Sequence, residues 1–107
     1  MPDQKQVAHQ ALVDRILNGE GRASAEQRAR AFSNHELSSP LDTLIDKVAN
    51  RPTDVTEFDL SAARGTGSTE DELFELVICA AVGQSTRLYE TGLAALAEAE
   101  GSHGNAS

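Results

Sequence analysis

The chain has 107 residues, of which 39% are hydrophobic and only four are aromatic, and its net charge is −8 at pH 7. This length allows one domain, whose core must be built from Leu, Ile, Val and Ala. Residues 1–34 carry five basic and four acidic groups (+1), and residues 35–107 carry four basic and thirteen acidic groups (−9). A surface with this balance repels nucleic acids and anionic lipids, so we expect neither as a partner.

The expected location is the cytoplasm. A single cysteine cannot form an internal disulfide, which fits a reducing compartment. The sequence does not open with the basic and apolar regions of a signal peptide. No apolar run reaches the ~18 residues that a membrane span needs, so we do not expect a membrane protein.

Two helices are predicted in an N-terminal arm, residues 1–36. The first runs from about Asp3 to Asn18 and has one apolar stripe at helical spacing: Val7, Ala11, Leu12, Ile16 and Leu17. Ser24 and Gln27 have the spacing of a capping box and open a second helix to about His35. That helix is polar, with an apolar face limited to Ala25, Ala29 and Phe32. We therefore expect it to be the weakest and most mobile of the set.

The third and fourth helices follow a break at Pro40. The third has the clearest amphipathic pattern of the chain, in the spacing i, i+3, i+4 and i+7: Leu41, Leu44, Ile45 and Val48. Pro52 ends it, because the residue before a proline is disfavoured in a helix. Thr56 and Asp59 then form a second cap signal, which opens a short helix to about Arg64.

A long central helix is predicted from about Ser68, as its N-cap, to Glu100. Its first half, from Leu73 to Val82, is apolar on most of its circumference, which is typical of a buried helix. Residues 79–85 are mostly small, so we expect another helix to cross there. Residues 101–107 are predicted to be a disordered tail. The sequence thus predicts a single all-α domain of about five helices over residues 1–100.

Residues 54–81 resemble a segment of the carboxymuconolactone decarboxylase and alkylhydroperoxidase D-like family, in which a short helix and a glycine turn precede a long helix. The positions that match the motif are Val55, Thr56, Asp59, Ala62, Ala63, Gly67, Ser68 and Glu75. Residues 40–49 are similar to the helix before that segment. The resemblance covers residues 40–98 and implies a shortened alkylhydroperoxidase D-like helical domain, with residues 40–100 as the family-like core.

The chemistry of the peroxidase members does not follow from this resemblance. Those members carry a Cys-x-x-Cys motif and a histidine four residues later, which supply an attacking thiolate, a resolving thiol and a base. Here Val82 stands where the second cysteine would follow Cys79, and Thr86 stands where the histidine would be. Thiol peroxidase activity is therefore not expected.

Four residues of the long helix are candidates for a pocket or an interface: Cys79, Gln84, Arg87 and Tyr89. Cys79 lies among apolar residues, so we interpret it as a buried hydrophobe, with a thiol sensor as the alternative. Gln84 and Arg87 are three residues apart and could face a pocket or a subunit contact. We favour structural hydrogen bonding for them, because buried polar groups need partners in any case.

No metal site or cofactor is expected. His9, His35 and His103 lie in three different segments, and none has a second histidine or a cysteine at ligand spacing. Carboxylates that could share a helix face, such as Asp71 and Glu75, are interpreted as solvated charges.

Three functions remain open at this point. The first is a non-catalytic or degenerate family member that acts as an oligomeric or accessory subunit. The second is a cofactor-independent decarboxylase or isomerase acting on a small organic acid, with Arg87 as the cationic group. The third is a module that binds a small ligand or a partner. The expected partners are a second copy or a related protein subunit, with a small-molecule ligand as the alternative.

Overall fold

The computed structural model describes the backbone of residues 4–106 and the side chains of residues 4–101. Over this range it contains α-helices and one short 3-10 turn at Pro52–Asp54, and no strand. The helices are α1 (Gln4–Asn18), α2 (Ala25–Ser33), α3 (Leu41–Asn50), α4 (Glu57–Arg64) and α5 (Glu70–Ala106). The prediction of an all-α domain of five helices with one long helix is confirmed. Asp3, where the first helix was predicted to begin, lies outside the described residues.

Side-chain caps fix where several of these helices begin. The hydroxyl of Ser24 accepts a hydrogen bond from the backbone N–H of Gln27, as predicted. Thr56 and Asp59 form a reciprocal capping box at α4, also as predicted. At α5 the prediction of Ser68 as N-cap is wrong. Thr69 takes that place, because its hydroxyl accepts from the N–H of Glu72 while the Glu72 carboxylate accepts from the N–H of Thr69.

The core lies where α2 and α3 pack against α5. Three of the four positions of the predicted α3 stripe are buried, and Val48 packs against them at the edge. On α5 the buried face has helical spacing. The buried hydrophobic residues of these two helices are Leu41, Leu44, Ile45, Ala49, Leu73, Leu76, Cys79 and Ala80. Aliphatic side chains thus form nearly the whole core, as the composition predicted.

The apolar faces predicted for α1 and α2 are correct only in part: Ile16 and Phe32 pack against the core, but other members are exposed. In α1 no residue is buried, and Val7 and Leu12 of the predicted stripe are about half exposed, at 52% and 45%. In α2, Ala25 and Ala29 are exposed, whereas Arg28 and Ala31 are buried. The reason is tertiary: the Arg28 side chain binds the end of α1 and turns this face of α2 inward. Contrary to expectation, α2 is the helix packed most extensively against α5.

The small residues of α5 allow α2 to approach closely, as predicted. Gly83 is buried at this crossing. A Cβ atom on Gly83 would lie 1.9 Å from the carbonyl oxygen of Phe32 in α2. Ala31 and Ala80, on the two facing helices, are fully buried. Only glycine at position 83 leaves room for this backbone contact.

The first half of α5 is not buried all round, which corrects the prediction for Leu73 to Val82. Phe74 is 66% exposed and Ala81 is exposed, because α2, α3 and α1 cover only part of the helix circumference. Further along, every side chain from Glu90 to Glu100 is exposed. The molecule is accordingly elongated, measuring 60 × 29 × 20 Å.

The helix α5 continues to Ala106 and so includes most of the segment predicted as a disordered tail. That segment contains no proline, and an isolated glycine costs a helix only about 1 kcal/mol, so no residue there forces the helix to stop. Among the described residues, no helix has an apolar stretch of the length and hydropathy required to cross a membrane.

Candidate functional site

Cys79, the first candidate, is a core residue in the middle of α5 with 1% of its surface exposed. Its Sγ lies 3.9 Å from the carbonyl oxygen of Ile16 in α1. Burial raises the pKa of the Cys79 thiol; the Arg28 guanidinium partly opposes this effect and the Glu75 carboxylate adds to it. Because the thiolate is the reactive form, this environment makes Cys79 a buried hydrophobe, as predicted, and disfavours a nucleophile.

Glu75 binds the loop between α1 and α2. Its carboxylate oxygens accept hydrogen bonds from the backbone N–H of Arg22, at 2.7 and 2.9 Å, and from that of Ala23, at 2.6 Å. These backbone donors hold the pKa of Glu75 below its ordinary value. A Cβ on Gly21 would lie 2.9 Å from Oε1 of Glu75, so a side chain there would displace the Glu75 carboxylate. The interpretation of Glu75 as a solvated charge is therefore wrong.

Arg87 and Gln84 hold the end of α2. Arg87 Nη1 donates to the carbonyl oxygen of Phe32 at 2.7 Å, while its Nε and Nη2 donate to Gln84 Oε1 at 3.2 and 2.9 Å. Phe32 lies in the last turn of α2, where backbone carbonyls lack partners within the helix. All three guanidinium nitrogens donate to protein oxygens. This is the structural role that the spacing of Gln84 and Arg87 predicted.

Arg28, which sequence reasoning missed, does the same for α1. It is 92% buried, and its Nη1 donates to the carbonyl oxygens of Ile16, at 3.1 Å, and Gly19, at 2.7 Å. Its Nε is buried and has no hydrogen-bond partner among the described residues. Two arginines thus cap the C-terminal ends of α1 and α2. No local pattern around Arg28 indicates this, since an arginine within a polar helix is usually exposed.

Tyr89 lies at an open cleft of about 510 Å³ between α1 and α5. His9 of α1 stacks obliquely on it, with ring centroids 5.7 Å apart, and the Nε2 of His9 lies 2.8 Å from the hydroxyl of Thr86. Because the Thr86 hydroxyl donates to the carbonyl oxygen of Val82, we assign the shared proton to His9 Nε2. The apolar part of the lining is Val13, Leu17, Phe32 and Leu93. A small ligand, if there is one, would be sought in this cleft.

A partly buried ion pair joins α3 to α4. Lys47 Nζ lies 2.9 Å from Oδ2 of Asp59, which also accepts from the backbone N–H and the hydroxyl of Thr56. The hydrogen bond from Lys47 and those from Thr56 hold the pKa of Asp59 below its ordinary value. Two of the motif positions, Thr56 and Asp59, therefore serve to fix the orientation of α4.

An exposed line of apolar and small residues runs along α5. Its members follow alternating steps of four and three, the spacing of a coiled-coil seam. They are Phe74, Ile78, Ala81, Ser85, Leu88, Gly92, Ala95 and Ala99. Ile78 is half-buried and the other seven are exposed, with Phe74 at 66% and Leu88 at 62%. We refer to these eight residues as the α5 seam.

The described side chains bring no three potential metal ligands together, whether His, Cys, Asp or Glu. His103, one of the three histidines considered, lies outside the described side chains. Of the four candidates, Cys79 is in the core, Gln84 and Arg87 cap α2, and Tyr89 borders the cleft. They do not form one site. Comparisons of the chain with protein-family models, with characterised proteins and with solved structures found no match.

Proposed function

We propose that this chain is a non-catalytic helical subunit, of the carboxymuconolactone decarboxylase-like kind, that assembles with a second copy through the α5 seam. The α5 seam is the observation that carries the proposal. It leaves two large side chains, Phe74 and Leu88, more than 60% exposed on one uncharged line. Long apolar stripes on a soluble protein typically mark a contact with another protein.

The part of α5 beyond Glu90 supports the same proposal. Residues 90–100 are all exposed, although Glu90 and Leu93 border the cleft with α1. An isolated helix of this length has little stability in water, because helix formation needs tertiary packing to offset its entropic cost. A partner chain along α5 would supply that packing.

The polar residues that might have supported an enzyme are engaged in holding the fold. The decarboxylase alternative required Arg87 to bind an acidic substrate, but the nitrogens of Arg87 donate to Phe32 and Gln84. Burial raises the pKa of the Cys79 thiol, and the Glu75 carboxylate is occupied by backbone donors. These contacts favour the assembly function over the enzymatic alternative.

Light scattering after size exclusion tests the proposal with two matched variants. Ala95 and Ala97 are both exposed on the same part of α5, but only Ala95 belongs to the α5 seam. We expect wild type and Ala97→Glu to have the mass of two chains. Ala95→Glu should have the mass of one chain, because it places a charge inside the apolar contact. A single-chain mass for wild type at tens of micromolar, or equal masses for the two variants, would refute the proposal.

A further inference from the structure

We infer that two copies of the chain pair through their α5 seams in antiparallel orientation, in a register that centres the two-fold axis between Thr86 and Arg87. This inference rests on the proposed function and specifies its partner and geometry. The residues of the α5 seam fall into two alternating heptad series, 74, 81, 88, 95 and 78, 85, 92, 99. In an antiparallel pair of helices, each residue of one series faces a residue of the other series on the partner helix. Here the residue numbers of facing positions add up to 173.

Side-chain sizes support this register. Phe74 faces Ala99 of the partner, Ile78 faces Ala95 of the partner, and Leu88 faces Ser85 of the partner. Each large side chain is thus placed opposite a small one. The remaining layer, Ala81 opposite Gly92 of the partner, contains only small residues. Alternation of large and small residues across facing positions is what allows two surfaces to interdigitate at native packing density.

A parallel pair would place each residue opposite its own copy. Phe74 would then face Phe74 of the partner, while Gly92 would face Gly92 of the partner five seam positions later. The two phenylalanines would hold the helices apart at position 74, and the two glycines would leave a gap at position 92. Gaps of this kind lose the dispersion contacts that stabilise a helix interface. The sequence of sizes along the α5 seam therefore favours the antiparallel pair.

The charge distribution permits two acidic chains to meet at this surface. Each chain has a net charge of −8, but none of the eight seam residues is charged. Three of the four charged residues of the same stretch are used elsewhere: Glu75 binds the α1–α2 loop, Arg87 caps α2, and Glu90 borders the α1–α5 cleft. The fourth, Glu98, is exposed beside the α5 seam. The α5 seam is thus a surface of α5 where like charges are not brought into contact.

The length of the α5 seam is sufficient for a specific interface. Residues 74–99 span roughly 39 Å of helix, and one third of the accessible circumference is about 13 Å wide, so each chain buries roughly 500 Å². A pair then buries about 1,000 Å², the lower limit for specific protein interfaces. Side chains beside the α5 seam add to this area. Leu12 of α1 shares a cleft with Ile78, and Leu60 of α4 shares one with Phe74.

Cysteine cross-linking distinguishes the two orientations. Ala81→Cys and Gly92→Cys are prepared as separate proteins, mixed, and oxidised mildly. In the antiparallel register these two positions face each other, whereas the two copies of position 81 lie about 16 Å apart along the axis, beyond disulfide reach. We expect a covalent dimer in the mixture and in neither protein alone. Wild type, whose lone Cys79 is buried, is the control and should give no covalent dimer.

The remaining outcomes separate this inference from the proposed function. Covalent dimers of Ala81→Cys alone and of Gly92→Cys alone would indicate a parallel pair and overturn the antiparallel register. A two-chain mass by light scattering without cross-linking in the mixture would also overturn the register, while leaving self-association in place. A second mixture, Ile78→Cys with Ala95→Cys, must give the same result as the first. Helical content measured by circular dichroism confirms that each variant is folded.

Discussion

Replacing Gly83 with alanine tests the packing of α2 against α5. A Cβ at position 83 would lie 1.9 Å from the carbonyl oxygen of Phe32 and 2.7 Å from its carbonyl carbon. Backbone atoms cannot relieve the contact by a change of rotamer, as a flexible side chain can. To reach 3.0 Å, below which Cβ contacts are essentially never seen, the Phe32 oxygen must move by 1.1 Å, the difference between the two distances. The two helices must therefore separate.

The expected change in the free energy of unfolding combines three effects, of which two destabilise the fold and one stabilises it. Overpacking of a core typically costs about 1–3 kcal/mol, and contact with backbone places this case at the upper end. Alanine has a higher helix propensity than glycine, which returns about 1 kcal/mol. Separation of the helices also lengthens the hydrogen bond from Arg87 to Phe32, for a further loss of about 1 kcal/mol. We expect a net decrease of about 2–3 kcal/mol in the free energy of unfolding.

Urea denaturation followed by circular dichroism measures this difference, and Gly92→Ala is the matched control. The two glycines lie on the same helix, but a Cβ at position 92 would have no atom within 4 Å. Gly92→Ala should therefore increase stability by about 0.5–1 kcal/mol through helix propensity alone. Both variants are measured at the lowest protein concentration that the signal permits, so that the comparison concerns the isolated chain.

The two variants are thus expected to change stability in opposite directions. If Gly83→Ala were as stable as Gly92→Ala, the backbones of α2 and α5 would not meet at this position. The reasoning about the crossing would then be wrong. A loss in Gly83→Ala accompanied by a changed slope of unfolding would indicate an expanded native state, and its helical content should be compared before the free energies are interpreted.

Two other contacts give further predictions. Glu75→Gln should lower the free energy of unfolding by about 1–3 kcal/mol, because an amide NH₂ then faces backbone donors in the loop. The pKa of Glu75 is lowered in the folded state from an ordinary value of 4.5, so this contribution to stability is present above pH 4.5 and is lost as the pH falls through the folded-state pKa. The difference in unfolding free energy between wild type and Glu75→Gln, measured by urea denaturation, should therefore narrow as the pH falls below 4.5. An unchanged difference would contradict the assignment. The exposed Glu90→Gln is the control. Arg87→Ala should lower the melting temperature by roughly 5–15 °C, because the carbonyl oxygen of Phe32 loses its partner. Arg87→Lys should recover part of this loss. If Arg87→Ala melted at the temperature of wild type, Arg87 would not hold the end of α2.

The sequence predicts those parts of the fold that depend on neighbours along the chain. The stripe of α3 is visible because Leu41, Leu44 and Ile45 repeat at helical spacing, and they are buried as expected. The cap at Thr56 is visible because its partner is three residues away. The close approach at Gly83 could also be anticipated, since a run of small residues allows another helix to come near.

Contacts between distant residues could not be predicted in this way. The burial of Arg28 depends on the carbonyls at the end of α1, and the role of Glu75 depends on a loop more than 50 residues away. Periodicity alone therefore assigned several exposed residues of α1 and α2 to buried faces, although Ile16 and Phe32 do pack against the core. The opposite error occurred on α5, where an all-round apolar composition predicted burial but one side of the helix, including Phe74, is exposed.

The bonds between the first and the last helices have a consequence for synthesis on the ribosome. His9 is paired with Thr86, 77 residues later, and the α1–α2 loop is held by Glu75. Until α5 has emerged from the ribosome, α1 and α2 lack the surface on which they pack. The N-terminal half of the chain therefore stays largely unfolded until then. Folding of α1 and α2 is thus completed only after the whole of residues 75–86 has left the ribosome.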